Sequence, residues 1–216
     1  MNNIRIDIVS DVVCPWCIIG YKRLEQALAS LSDSVQADIH WHPFELNPAM
    51  GPDGQNLREH IQEKYGTNDE ASLSARNTLT QLGQEVGFLF EFSDEMRIYN
   101  TRKAHQLLLW AQSEHKQLAL ELSLFEAYFT YGQDISDDSV LIECAIQAEL
   151  DQQVAQHIIN DSTWAETVAS TEQQWLEAGI NAVPAIIINQ KHLISGAQTS
   201  DRLISAIEQI VQAEGN

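Results

Sequence analysis

Cys14-Pro15-Trp16-Cys17 stands where one hydrophobic period gives way to another. Before it, Ile4, Ile6 and Ile8 alternate with Arg5 and Asp7, the period of two that marks a strand. After it, Ile18, Tyr21, Leu24, Leu28 and Leu31 recur three and four apart, which predicts an amphipathic helix. Cys14 therefore falls at a strand-to-helix junction, with Pro15 at the favoured first helical position. Two cysteines three apart on a first helical turn bring their Cβ atoms within reach of a disulfide. The first of them also faces unpaired backbone N–H groups and the positive end of the helix dipole, which favour a thiolate. On chemistry alone the tetrapeptide reads as a redox pair.

The 216 residues, 44% of them hydrophobic, suffice for one large domain or a domain with a substantial insertion. No apolar run approaches the ~18 residues that span a membrane. The first strand begins too early for a signal sequence, so a cytoplasmic location without membrane attachment is expected. Three cysteines, an odd number, argue against a secreted disulfide framework and for a catalytic or metal role of the paired two. The formal net charge of −19, from 31 acidic against 12 basic side chains, is a poor balance for gripping nucleic acid.

Outward from the motif, Ser32-Asp33-Ser34 signals a turn, and Val35 to Phe44 reads as a second strand with Val35, Ala37, Ile39 and Trp41 on one face. His40 and His42 share the other face at a spacing that could hold a metal, but no third ligand accompanies them. Prolines and glycines from Pro43 to Gly54 predict a loop leaving the sheet. From Leu57 to about Ala178 the pattern is helical almost throughout, in segments near 57–65, 69–87, 101–114, 118–131, 138–148, 151–159 and 161–178. Tyr65-Gly66 and Tyr131-Gly132 read as helix ends, Asn100 or Thr101 as a helix cap, and Asp134 and Ser136 as part of the break before another helix. At Gly179 the pattern changes. Val183-Pro184-Ala185-Ile186-Ile187-Ile188 is a continuous apolar run expected of a buried strand. A turn at Asn189-Gln190-Lys191, a hairpin partner at His192-Leu193-Ile194 and a final helix carrying Leu203, Ile204, Ile207, Ile210 and Val211 on one face complete the chain.

The order strand, helix, strand, long helical stretch, strand, strand, helix, with C-x-x-C opening the first helix, resembles a thioredoxin fold carrying a helical insertion. The chain resembles the DsbA family of thiol-disulfide oxidoreductases, within it the FrnE-like branch, which lies near the 2-hydroxychromene-2-carboxylate isomerases. The residues that carry the likeness are Ser10 to Cys17, Pro43-Phe44-Glu45-Leu46-Asn47-Pro48, Asn100-Thr101 with Ala104-His105, Leu124 to Phe129, Val183-Pro184 and Ser195-Gly196-Ala197-Gln198. The resemblance implies an α/β fold in which 1–50 and 179–216 form a thioredoxin-like domain and 51–178 an inserted all-helical domain. It also implies that Pro184 is cis and lies against the C-x-x-C, so that the Val183 backbone can pair with an extended substrate segment beside Cys14.

Other residues carry weaker signals. Trp16 is either an apolar cover near the disulfide or a surface aromatic. Asp11 opposes a Cys14 thiolate if it points inward, while Lys22 and Arg23 lie too far along the helix to pair with it. Cys144, among Leu141, Ala145 and Ala148, reads as a small buried hydrophobe, with a resolving or sensing role as the alternative. Asn100 and His105 are candidates for substrate binding because the resembled family shares them; otherwise Asn100 is a cap and His105 a satisfied or exposed histidine.

The reading that results is a thiol-disulfide oxidoreductase. Cys14 is the nucleophile, Cys17 the resolving thiol, and Pro15, Trp16, Val183 and Pro184 line the substrate site. The cysteine pair carries the electrons, so no metal, nucleotide or flavin cofactor is needed. The expected partners are disulfide or dithiol proteins, with glutathione as a candidate co-substrate, and the oligomeric state is open. One rival is a glutathione-dependent isomerase or transferase, whose relatives typically have serine where this chain has Cys14. The other is a non-enzymatic zinc or partner-binding module; a structural zinc site would want four closed ligands.

Overall fold

The computed structural model describes residues 1–214. In chain order its elements are β1 (Asn2–Ser10), α1 (Pro15–Ser30), β2 (Val35–Pro43), β3 (Gln55–Asn56), α2 (Leu57–Tyr65), α3 (Asp69–Val86), β4 (Arg97–Ile98), α4 (Arg102–Ser113), α5 (Gln117–Phe125), a π-helical turn (Glu126–Thr130), α6 (Asp138–Gln147), α7 (Gln152–Ile158), α8 (Ser162–Glu177), β5 (Ala185–Ile188), β6 (His192–Ser195) and α9 (Ser200–Glu214). The architecture is a mixed α/β thioredoxin-like fold with a helical insertion.

The main sheet runs β2-β1-β5-β6. β1 is parallel to β2 and antiparallel to β5, which pairs antiparallel with β6. As a central strand, β1 is covered on both faces rather than one. Ile4, Ile6 and Ile8 enter the main core with Ile18, Leu24, Leu107 and Phe125, while Val9 enters a smaller one with Phe44, Ile180, Ala185 and Ile187. The alternation read from the sequence therefore does not leave Asp7 exposed. It is buried and kept satisfied by Arg5 Nη2 and His42 Nε2, each 2.7 Å away. Taking an ion out of water is tolerable only with such partners.

Helices begin where short polar side chains can accept orphan backbone N–H groups. Asn56, Asn68, Asp137, Asp151 and Asp161 do so at α2, α3, α6, α7 and α8, each contributing about 1 kcal/mol. Asp134 and Ser136 lie in the break before α6, as expected, where Asp134 closes a turn on the Ser136 N–H, and Asp137 is the capping residue. Thr101 occupies the cap position of α4 without a side-chain bond, and Asn100 Oδ1 takes the Arg102 N–H instead. Gly66 and Gly87 end α2 and α3 at φ 68° and 74°, a region that favours glycine.

The sequence predicts an all-helical insertion; the structure departs from that in the short antiparallel pair β3–β4. Between α3 and α4 the chain is irregular because Phe88, Phe90 and Phe92 alternate, a period no helix can bury on one side. Their rings pack edge-on against Phe129, and the Glu91 N–H reaches the Phe129 carbonyl at 2.9 Å. The insertion also covers the sheet, with α4, α5 and α8 packed on β2. No described helix is long and apolar enough to cross a membrane.

Candidate active site

Cys14 caps α1 from an extended backbone (φ −94°, ψ 110°), Pro15 follows in the first turn, and the Cys17 N–H donates to the Cys14 carbonyl at 3.0 Å. Both cysteines are free thiols. They differ in access. Cys14 retains 4% of its surface and lines a cavity, whereas Cys17 is wholly enclosed. Burial first, then the adjacent Cys14 sulfur, push the Cys17 thiol well above its ordinary pKa; the neighbouring Asp11 main chain and Ser10 side chain act the other way.

Across from Cys14, the Val183–Pro184 peptide is cis. The Cys14 thiol faces the Val183 carbonyl, with Sγ 3.9 Å from the oxygen. β5 starts at Ala185, later than the apolar run suggested, and the Pro184 carbonyl accepts from the Gly196 N–H at 2.9 Å. Gly20 of α1 lies beneath this segment, where a Cβ would stand 3.2 Å from the Pro184 ring. The close approach of α1 to the proline thus depends on the missing side chain.

Behind the cysteines lies a buried polar cluster. Asp11 points inward, yet its oxygens are engaged: Oδ2 takes the Leu46 N–H at 2.7 Å and Oδ1 lies 3.3 Å from His105 Nε2. The same ring nitrogen is 3.1 Å from the Phe44 carbonyl. Burial alone would lower the His105 pKa, but the Asp11 hydrogen bond and charge, with Glu121 and Glu45 adding to them, raise it. Ser10 Oγ donates to Glu121 Oε1 at 3.1 Å, and burial of Glu121 pushes its carboxyl up to about 7. Ser10 therefore lies near the enclosed Cys17 thiol and is bonded to a carboxyl pushed up to about 7.

The loop Phe44-Glu45-Leu46-Asn47 is clamped over this cluster. The Glu45 N–H donates to Glu172 Oε1 at 2.8 Å, and its carboxylate accepts from Arg102 Nε. In front of the loop and Cys14 opens a cavity of about 630 Å³, walled by this loop, by α2 and α3, and by the segment Asn181–Val183. Cys14, Pro15 and Trp16 form one side of it, with Trp16 42% exposed.

A family model for the DSBA-like thioredoxin domain matches residues 5–208. The chain belongs to that family. In sequence this DSBA-like protein is similar to YwbO of Bacillus subtilis (strain 168), 25% identical over 206 residues that cover 94% of this chain and 96% of the relative. In structure it is similar to a probable DsbA oxidoreductase from Streptomyces coelicolor, with a TM-score of 0.89, 27% identity and coverage of 98% of this chain and 91% of the other. It also shares its fold with a 2-hydroxychromene-2-carboxylate isomerase, at a TM-score of 0.64 and 15% identity, covering 98% of both chains.

Among the residues singled out from the sequence, this DSBA-like chain brings together Cys14, Pro15, Trp16 and Val183 on the cavity, with Pro184 adjoining Val183. His105 stays off the cavity wall and reaches the site only through Asp11 and the Phe44 carbonyl. Asn100 is spent as a cap and on the Pro48 carbonyl, 3.3 Å away. Cys144 is buried, its thiol facing the Ser123 carbonyl at 3.9 Å, and burial raises its pKa. His40 contacts Asp38 and Gln112, and His42 contacts Asp7. Among the described residues no group of three or more His, Cys, Asp or Glu is placed to hold a metal. Lys22 pairs with Glu25, and Arg23 donates to the Ala197 carbonyl, so neither serves Cys14.

Sequence reading missed Ser10, Glu121, Glu45 and Arg102. A signal existed for Glu121. It is four residues after Gln117 and four before Phe125, a charged residue on the buried stripe of a largely apolar helix.

Proposed function

We propose that this chain is a cytoplasmic thiol-disulfide oxidoreductase of the FrnE-like branch, working through a mixed disulfide on Cys14. The observation that carries the reading is the inequality of the two thiols: one opens on a cavity, the other is sealed beneath it. Cys14 thiolate attacks a substrate disulfide, forming Cys14–S–S–R and releasing one thiolate. Cys17 then attacks the Cys14 sulfur, closing the protein disulfide and releasing the second thiolate. One disulfide becomes two thiols while the cysteine pair is oxidised, and the reverse sequence oxidises a dithiol.

The second attack requires an enclosed, high-pKa thiol to lose its proton. Ser10 and Glu121 supply the route. The thiol proton passes to Ser10 Oγ as the serine proton passes to Glu121, whose pKa of about 7 suits a base at neutral pH. Asp11 and His105 hold the Phe44–Leu46 loop in place over the pair.

Equilibration with mixtures of reduced and oxidised glutathione tests the reading. The account predicts that Cys14 and Cys17 thiols disappear together as a two-electron couple. A single stable glutathione adduct that never closes to a protein disulfide, together with isomerisation of an aromatic substrate, would favour the isomerase.

A further inference from the structure

The cavity in front of Cys14 says more about the substrate than the cysteines do. Its volume of about 630 Å³ lies within the range of small-molecule sites, about 300–1,000 Å³. Its floor and walls include Leu57, Ile61, Leu79, Phe92, Tyr128 and Phe129. Cys14, only 4% exposed, opens on the same cavity as these side chains. A folded protein presenting a surface disulfide gains little from a recess lined by the insertion, whereas a compact apolar molecule would fill it.

Charge adds a second requirement. Three charged pairs or groups meet at the walls. Glu45 is bonded to Arg102, and Arg76 to Asp94 at 3.3 Å, so those charges are compensated. Lys64 is not. Its Nζ donates to the Leu46 carbonyl at 2.9 Å and to Asn47 Oδ1 at 2.8 Å and lies 5.7 Å from the Tyr65 ring, all uncharged groups. The neighbouring Glu63 accepts from Gln55 Nε2. His60, also on the wall, has its pKa lowered by burial and by Lys64. In a chain of net charge −19, an ammonium with no carboxylate partner among the described residues, at the rim of an apolar cavity, favours an anionic end on whatever enters.

We infer that the cavity selects low-molecular-weight disulfides with a largely apolar body and a carboxylate, in preference to protein disulfides and to glutathione disulfide. The inference rests on the oxidoreductase reading and narrows the protein partners expected from the sequence. The apolar part occupies the space between α2, α3 and the Phe129 side, the carboxylate meets Lys64 Nζ, and the sulfur is presented to Cys14. Cys14 thiolate displaces one RS⁻ to leave Cys14–S–S–R, and Cys17 displaces the second.

The test uses the reduced Cys17→Ser protein, in which the first adduct persists and is counted by mass spectrometry. Bis(4-carboxybenzyl) disulfide is compared with its bis-carboxamide, with 2-hydroxyethyl disulfide, with glutathione disulfide and with insulin. Each rate is divided by that of N-acetylcysteine with the same compound, which removes intrinsic reactivity. The benzyl acid is expected to exceed hydroxyethyl disulfide by about tenfold or more, a difference of roughly 1.4 kcal/mol. It should also exceed the bis-carboxamide, and Lys64→Gln should remove that second margin. Ala75→Trp, at an exposed position on the α3 side of the cavity, should collapse the benzyl-to-hydroxyethyl ratio. Normalised rates for glutathione disulfide or insulin that equal or exceed the benzyl acid would overturn the inference, as would ratios unmoved by both substitutions. If no disulfide of any kind adds to Cys14, the oxidoreductase reading itself fails, an outcome separate from loss of selectivity.

Discussion

Ser10 Oγ donates a 3.1 Å hydrogen bond to Glu121 Oε1, joining the last residue of β1 to a helix of the insertion. The bond places a carboxyl from 51–178 next to the residue that ends β1, so this part of the chain reaches in behind the motif as well as covering the sheet. Glu121 is fully buried and its carboxyl titrates near 7 instead of 4.5.

That shift makes stability depend on pH with a definite sign. A carboxyl whose pKa rises on folding binds its proton more tightly in the native state. Its contribution is fully present below the unfolded value of 4.5 and is lost as pH climbs through about 7, a fall of about 3 kcal/mol. His105, also raised, acts in the same direction, holding its contribution below its unfolded value and losing it as pH rises through the folded one. Glu121→Gln should therefore flatten the urea-unfolding free energy between about pH 5 and pH 8 and leave the variant more stable than its parent at the upper end. An unchanged slope would mean that Glu121 is not the titrating group.

The same substitution should slow resolution. With Cys14 loaded as a mixed disulfide with 2-nitro-5-thiobenzoate, release of the chromophore reports the attack by Cys17. Release from the parent should inflect near pH 7, the Glu121 value. Glu121→Gln should lower the rate by about ten- to a hundredfold and remove the inflection. Loading of Cys14 should be unaffected, and a variant that resolves at the parental rate would show that Cys17 loses its proton by another path.

Alkylation should follow access. Cys17 and Cys144 are enclosed and have raised pKa values, while Cys14 lines the cavity. One equivalent of iodoacetamide added to the folded, reduced protein should label Cys14 first, as read by peptide mass spectrometry. Faster labelling of Cys17 or Cys144 would contradict the geometry.

Gly83 in α3 provides a packing test whose sign opposes helix propensity. In an open helix, Ala in place of Gly would stabilise by about 1 kcal/mol. Here a Cβ would lie 2.5 Å from Phe90 Cδ2 and 2.6 Å from the Phe88 carbonyl oxygen. The backbone oxygen cannot rotate away, so Gly83→Ala should destabilise the protein by about 1–3 kcal/mol. A rise in Tm would mean that this loop does not pack against α3.

Most of the fold was legible because each element carried its own period. The Ile4-Ile6-Ile8 alternation, the three-and-four spacing after Cys17 and the apolar run ending at Ile188 correspond to β1, α1 and β5. The irregular stretch with Phe88, Phe90 and Phe92 was not legible, since its conformation is set by Phe129, far along the chain. The site divided the same way. Cys14 and Cys17 announce themselves by local chemistry, and Val183–Pro184 by the family resemblance. Ser10, Glu121 and the cavity wall exist only once α5, α2 and α3 have folded against the motif, and no local pattern encodes that meeting.

The most direct test of the central claim sets two single-cysteine variants against one neutral probe, 2-hydroxyethyl disulfide. Two-thiol exchange gives the cysteines unequal duties, so the variants should fail differently. Cys17→Ser should accumulate an adduct at position 14 that reductant reverses, because attack proceeds and resolution cannot. Cys14→Ser should form no adduct, its remaining site thiol being enclosed. Adducts on both variants, or on neither, would contradict the assignment of Cys14 as nucleophile and Cys17 as the resolving thiol.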